Sequence, residues 1–303
     1  MVRIGLGLPQ LGFHVTGRAI ASFVRSSDSI GFSSLWVQEH LFYPLRNTSQ
    51  YSGKYGTEVH GAYRSFYSPL ELLSFAAALS SHMMLGTSVV VAGYHRPVEL
   101  AQRIATLDQL SEGRVILGIG AGWSTDEHAQ MGVDFATRGN RIDEFVPALV
   151  RCWDPDPVEF HGAFFTIPAA EVQPKPFNNR RPPLMSGMRS AAGLRRTARH
   201  FDMWNPTVGT GIPIADNLAW LREHQPPGAT PMRLITRVYA ARPAGGDDGL
   251  ADGLDRIRAG LDESAALGAE EAIIECGFWS AITSERDWES LPERLAEIVG
   301  DYD

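Results

Sequence analysis

Residues Arg114 to Trp123, RVILGIGAGW, decide how this chain is read. Val115, Ile116, Leu117 and Ile119 form a short apolar run of the kind expected for a strand covered on both faces. It runs into Gly118, Gly120 and Gly122, where a missing Cβ lets another backbone or a flat ligand come close. A dinucleotide fingerprint, G-x-G-x-x-G, counted from Gly118 requires glycine at position 123, which is Trp123. The run also lies far beyond the first strand–helix turn, where that fingerprint belongs. This glycine-rich strand end is therefore of another kind.

Outward from it, apolar runs alternate with helical spacing. Strands are expected at Val2–Leu8, Ser34–Val37, Leu85–Ala92, Val115–Ile119, Pro183–Ser186, Met203–Asn205, Leu234–Ala240 and Glu271–Glu275. Helices are expected at Ala19–Ser29, from Pro69 through Leu79, from Pro97 to a stop at Gly113, at Arg141–Cys152, Ala191–Arg199, Leu254–Leu267 and Leu291–Val299. A less regular stretch, Asp154–Pro183, interrupts the alternation. Eight strands, each followed by helix, is the count of a (β/α)8 TIM barrel, with a doubly wound open sheet as the competing layout. Without linker, repeat or low-complexity tract, residues 1–303 read as a single domain.

The bulk numbers exclude several classes of function. A net charge of −8 argues against general nucleic-acid binding, which needs a basic surface. No apolar run approaches the length of a membrane span, and the N-terminus reads as a strand instead of a signal peptide. Cys152 and Cys276 stand far apart with no CxxC, so neither a disulfide framework nor a cysteine zinc site is expected, and a cytoplasmic location is the default. No metal site is expected, because no second His or acid falls at ligand spacing; G-x-S-x-G, P-loop and HExxH motifs are missing too.

In a barrel, ligands bind at the carboxyl ends of the strands. That rule selects Phe13 and His14 after strand one, Glu39 and His40 after strand two, and Gly120, Ala121, Gly122 and Trp123 after strand four. It also selects Ser186 to Ser190 after strand five, Asn205 after strand six and Glu275 after strand eight. His40 can move or stabilise a proton near neutral pH, or it can be a structural histidine bonded to backbone. The helix start at Gly187, Met188, Arg189 and Ser190 can hold a phosphate, or Ser190 can simply cap the helix. Trp123 either shapes a substrate cavity or packs at the rim. The loop Leu41–Ser68 is unusually long and carries Phe42, Tyr43, Tyr51, Tyr55, Tyr63, Phe66 and Tyr67, with Gly53, Gly56 and Gly61 as possible hinges. It reads as a lid over a planar ligand or as a satellite core or oligomer contact. Phe13, His14, Phe42, Tyr63 and Trp123 together point to a small organic substrate that is bulky and partly apolar.

Leu85–Trp123 (LGTSVVVAGYHRPVELAQRIATLDQLSEGRVILGIGAGW), Arg138–Trp153 (RGNRIDEFVPALVRCW), Phe160–Phe165 (FHGAFF) and Pro182–Pro206 (PPLMSGMRSAAGLRRTARHFDMWNP) carry a family resemblance. The chain resembles the luciferase-like monooxygenase superfamily, and within it the coenzyme F420-dependent oxidoreductases. It does so by motif over its first two thirds and by strand order over the last. The resemblance implies a barrel with an insertion at 154–183 and a deazaflavin or flavin across its mouth. It implies a non-prolyl cis peptide at Ser88-Val89 or the adjacent bond, so that Ser88, Val89 and Val90 back the ring. Glu39 and His40 map onto an acid–His pair, with His40 the expected proton donor, acceptor or polariser. Gly120, Ala121 and Gly122 would line the ring, and Gly187 to Ser190 the phosphate.

Two departures stand out. Trp123 replaces the glutamate that sugar-phosphate-oxidising members carry after the strand-four glycines. Gly187-Met188 replaces a Gly-Gly pair at the phosphate turn. The implied reaction is hydride transfer between C5 of F420 and the substrate. The alternatives are an FMN-dependent monooxygenase using reduced FMN, O2 and a reductase partner, and a non-catalytic flavin- or deazaflavin-binding barrel. A homodimer is implied as well.

Overall fold

A computed structural model describes residues 2–46, 60–241 and 249–300. The strands are, in chain order, β1 (Arg3–Gly7), β2 (Ser34–Val37), β3 (Met84–Thr87), β4 (Val90–Val91) and β5 (Val115–Gly120), then β6 (Val158–His161) and β7 (Thr166–Ala170), then β8 (Leu184–Ser186), β9 (Met203–Trp204), β10 (Arg233–Tyr239) and β11 (Glu271–Glu275). β6 and β7 form a separate antiparallel hairpin. The rest are parallel in the order β3-β2-β1-β11-β10-β9-β8-β5-β4, and pairing of β3 with β5 closes the sheet. The expected third strand, Leu85–Ala92, is interrupted: Ser88 and Val89 part β3 from β4, and the bond between them is cis. Register slips by one residue there, because Gly86 pairs with Ile116 but Val90 with Ile119. With β3 and β4 counted as one staggered strand, this is a closed (β/α)8 barrel of eight strands.

Alternation along each strand sets its two faces. Val115, Leu117 and Ile119 face the helices and join the main apolar core. Ile116 faces inward with Trp36, Met185, Met203, Ile235 and Ile273, and these six plug the barrel. By the same parity Gly118 and Gly120 face inward. Trp36 fits because glycine stands on both neighbouring strands: a Cβ on Gly86 would lie within its indole, and one on Gly5 would lie 2.7 Å from its Nε1. That indole nitrogen donates to Ser34 Oγ at 2.5 Å and to Glu271 Oε1 at 3.1 Å.

The outer layer is α1 (Gly17–Ile30), α2 (Pro69–Leu79), α3 (Pro97–Leu110), α4 (Thr125–Gln130), α5 (Arg138–Arg151), α6 (Ala191–His200), α7 (Ile214–Glu223), α8 (Leu250–Ala266) and α9 (Glu285–Val299). Thr16 caps α1, accepting from Ala19 N at 3.2 Å, and Gly31 ends it at φ 101°. α1 packs on α9 with Phe23 edge-on to Trp288. Within 154–183 the β6–β7 hairpin is tied down by Glu144 of α5, which accepts from the backbone N–H groups of Ala163, Phe164 and Phe165. Both cysteines are buried and free. Among the described residues no group of His, Cys, Asp and Glu is placed to hold a metal, and no helix is long and apolar enough to cross a membrane.

Candidate active site

The carboxyl ends of the strands surround a cleft of about 650 Å³. Its floor is Val89. The side chain of Val89 lies between two glycines: a Cβ on Gly120 would stand 2.5 Å from Val89 Cγ2, and one on Gly187 would stand 3.2 Å from Cγ1. Gly122 combines φ +74° with a tight fit, since its Cβ would meet Val91 Cγ1 and His128 Cε1 at 2.6 Å. Gly120 and Gly122 at the end of β5 thus make room for Val89, Val91 and His128 along one side of the cleft.

Glu39 and His40 are consecutive but serve different surroundings. Glu39 lines the cleft, and its carboxylate accepts from Val91 N at 2.7 Å and meets His95 Nε2 at 2.9 Å. It anchors the strand end just past the cis bond. Burial alone would lower the pKa of His95, but hydrogen bonds to Glu39 and Glu99 outweigh it and hold His95 up at about 9. His40 is not in the cleft lining. Its buried Nδ1 lies 2.7 Å from Glu127 Oε1, its Nε2 is buried without a partner, and its ring stacks 12° from parallel with Trp123. The carboxylate of Glu127 gathers three further donors: Leu41 N at 2.6 Å, Phe42 N at 3.3 Å and Tyr94 Oη at 2.5 Å. Burial pushes Glu127 up, yet His40, Tyr94 and the amide together bring it below the ordinary carboxylate value.

Across the cleft, Arg237 of β10 donates Nη1 to Tyr239 Oη at 3.1 Å and Nη2 to the carbonyl of Ser88. Ser88 Oγ donates to Asn205 Oδ1 at 2.6 Å, and Asn205 Nδ2 donates to Ile235 O at 2.8 Å. The outer end of the cleft is basic. Arg138, Arg189 and Arg196 line it beside the first turn of α6. A groove of about 160 Å³ next to it is lined by Arg195, Arg196, Arg199, Ala192 and Asp143. Arg138 lies over the ring of Phe135, 3.6 Å from its centroid, and Arg196 Nε donates to Asp143 at 3.0 Å.

Of the residues expected from sequence, the cleft brings together Glu39, Ser88, Val89, Gly120, Ala121, Gly122, Trp123, Gly187, Met188, Arg189, Ser190 and Tyr63. It does not bring in Val90, which is buried in the core, nor Phe13, which is 70% exposed, nor His14 and Phe42, which are exposed outside the lining. A strand-end position puts a residue near the mouth without fixing where its side chain points, and these point away. Ser190 caps α6, accepting from Gly193 N at 3.1 Å. In the long loop Tyr63 both lines the cleft and packs on His40 and Phe278. Tyr51, Tyr55, Gly53 and Gly56 lie outside the described residues. Sequence reading missed Glu127, Arg138, Arg196, Arg237 and Tyr239. Arg237 had one signal: a charge at inward parity in a strand of otherwise buried residues.

Fold and cleft define a (β/α)8 barrel whose site is a cleft at the carboxyl rim, with Val89 packed between Gly120 and Gly187. Residues 6–242 match the luciferase-like monooxygenase family, and the chain belongs to that family, whose members are oxidoreductases and monooxygenases. An uncharacterised protein of Mycobacterium tuberculosis is 28% identical over 91% of this chain and 92% of its own length. An F420-dependent glucose-6-phosphate dehydrogenase of Kineococcus radiotolerans is 32% identical over 52% of this chain and 43% of its own. The oxygenase component of a flavin-dependent trigonelline monooxygenase from Acinetobacter baylyi is 33% identical over 42% of this chain and 36% of its own. Among solved structures, a monooxygenase from Streptomyces bottropensis aligns over 99% of both chains with a TM-score of 0.72 at 17% identity. A coenzyme F420-dependent tetrahydromethanopterin reductase from Methanopyrus kandleri aligns over 100% of this chain and 99% of its own, with a TM-score of 0.71 at 15% identity.

Proposed function

We propose that the protein is a coenzyme F420-dependent oxidoreductase acting on a small organic substrate. The observation that carries this reading is the shape and charge of the cleft. A cleft floored by Val89 between Gly120 and Gly187 suits a planar tricyclic ring, and its outer end runs past Arg138, Arg189 and Arg196 toward Arg195 and Arg199. F420 has a longer and more anionic tail than the single phosphate ester of FMN, and an extended arginine rim complements such a tail. Bound there, F420 would supply hydride transfer at C5 of its deazaflavin.

The chain's own residues have separable tasks in this reading. Val89 and the glycines on either side of it support one face of the ring. Arg138, Arg189 and the first-turn N–H groups of α6 hold the tail. Trp123 and Tyr63 bound the substrate side and exclude water. His40, with Nδ1 engaged by Glu127 and its ring beneath Trp123, acts by positioning Trp123. The F420-dependent relative supports this reading, and Trp123 speaks against sugar-phosphate oxidation. The flavin-dependent relative favours a second one, an FMN monooxygenase served by a separate reductase.

Side-by-side fluorescence titration with F420 and FMN separates the two. The expected result is micromolar or tighter F420 binding, with FMN at least tenfold weaker. Micromolar FMN binding without F420 binding overturns the proposal.

A further inference from the structure

Arg237 is a buried cation, 9% exposed, at the inner end of the cleft. Among the described residues no carboxylate lies within ion-pairing distance of it. Two of its nitrogens are spent on neutral oxygens, the carbonyl of Ser88 and the hydroxyl of Tyr239, and its Nε is buried with no acceptor at all. Glu275, on the adjacent strand, is beyond ion-pairing distance and acts on Arg237 only through space, favouring its charge. It accepts from Gly277 N through Oε1, and burial raises it above the ordinary carboxylate value. Tyr239 and Glu275 keep the guanidinium charged despite burial, but its desolvated Nε remains unfavourable unless a ligand supplies an acceptor. Its position is also fixed from behind, because Ser88 is held by Asn205 and Asn205 by the backbone of Ile235.

We infer that Arg237, with Tyr239 beside it, is a binding subsite for an electron-rich oxygen, a carbonyl or a carboxylate, on a planar ligand lying against Val89. This rests on the reading that a planar redox ring occupies the cleft, but not on which ring. Two sources supply such an oxygen: the pyrimidinedione edge of the cofactor, or the carbonyl or carboxylate of the substrate. A cationic donor at the first would favour the reduced, more anionic cofactor. At the second it would select conjugated carbonyl compounds or carboxylic acids.

The test compares the wild type with Arg237→Met, Arg237→Lys and Tyr239→Phe. Each is titrated with F420 and with FMN, oxidised and reduced, under anaerobic conditions. Each cofactor-loaded protein is then titrated with benzoate and with cyclohex-2-enone, read by the change in cofactor absorbance. Loss of the guanidinium is expected to weaken one ligand at least about tenfold, with Arg237→Lys and Tyr239→Phe in between. Weaker binding of the reduced cofactor, beyond the effect on the oxidised form, assigns the oxygen to the cofactor. Unchanged cofactor binding with loss of benzoate or enone binding assigns it to the substrate. If Arg237→Met does not fold, Arg237→Lys, which keeps the charge and loses the fork, is read by the same titrations. All affinities within twofold of wild type in folded variants overturn the inference. A wild type that binds neither cofactor overturns it together with the proposed function, whereas binding FMN alone overturns only the F420 reading.

Discussion

Gly118 and Gly120 stand two residues apart in β5, face the same way and tolerate change differently. A Cβ on Gly118 would collide with the backbone carbonyl of Thr87, whose hydroxyl is already engaged by Gly118 N and O at 2.8 Å. Backbone cannot step aside, so Gly118→Ala is expected to lose about 3 kcal/mol of stability. A Cβ on Gly120 would press on a side chain instead of backbone, standing 2.5 Å from Val89 Cγ2. Gly120→Ala should therefore lose about 1 kcal/mol at most, but tilt the floor and weaken cofactor binding roughly tenfold. Urea midpoints and cofactor titrations of the two variants check this. Equal stability losses with unchanged binding would show that Val89 is not a platform. These glycines were legible in the sequence because their spacing at a strand end shows in the chain itself, although Thr87 and Val89, for which they make room, lie 31 positions away. Arg237 was not, because its meaning comes from Ser88, which lies 149 positions away, is held in turn by Asn205 and meets it only when the barrel closes.

At the scale of elements, the strand centres were legible and the helix starts less so. α9 begins at Glu285, six residues before the expected start at Leu291. Pro292 hides the pattern, although burial of Trp288, Leu291, Leu295 and Ile298 holds the helix together through it. α4 was missed because TDEHAQ has no apolar stripe; Ser124 caps it, accepting from Glu127 N at 3.2 Å. That short helix presents Glu127, whose carboxylate joins β2's end, the start of the long loop and Tyr94. Glu127→Gln leaves His40 Nδ1 and Tyr94 Oη without a charged acceptor and is expected to lose about 3 kcal/mol, the upper end for a hydrogen bond to a charged group. Tyr94→Phe removes one hydrogen bond to that charge and should lose about 2 kcal/mol. Chemical denaturation gives both numbers, and a Glu127→Gln variant as stable as Tyr94→Phe would mean that the His40 contact contributes little.

For the whole molecule, closure joins β3 to β5 and sets β4 at the rim, and the Glu39–His95–Glu99 chain ties β2's end to β4 and to the first turn of α3. The barrel itself was legible from eight apolar runs, but not this tie, because Glu39 lies 52 positions from Val91 and 56 from His95 and meets them only at the rim. It gives the stability profile a defined basic limb. Unfolded, His95 releases its proton near the ordinary histidine value of 6.5; folded, it keeps it to about 9. A raised folded value means the contribution is present in full below about pH 6.5 and is lost as pH rises through about 9. The size of the shift corresponds to roughly 3 kcal/mol. Glu127 works in the opposite sense: its lowered value gives stability above the ordinary 4.5 that is lost as pH falls. With unfolding free energies measured at intervals from pH 5 to pH 10, the gap between the wild type and His95→Asn should therefore show a plateau between about 5 and 6.5 and a decline of up to roughly 3 kcal/mol by pH 9.5. His95→Asn should lie below the wild type on the plateau and converge with it at high pH, since only the protonated imidazole distinguishes them. Parallel profiles for the two proteins, with a constant gap across the range, would show that His95 stabilises the rim by packing and neutral hydrogen bonds, without the charge.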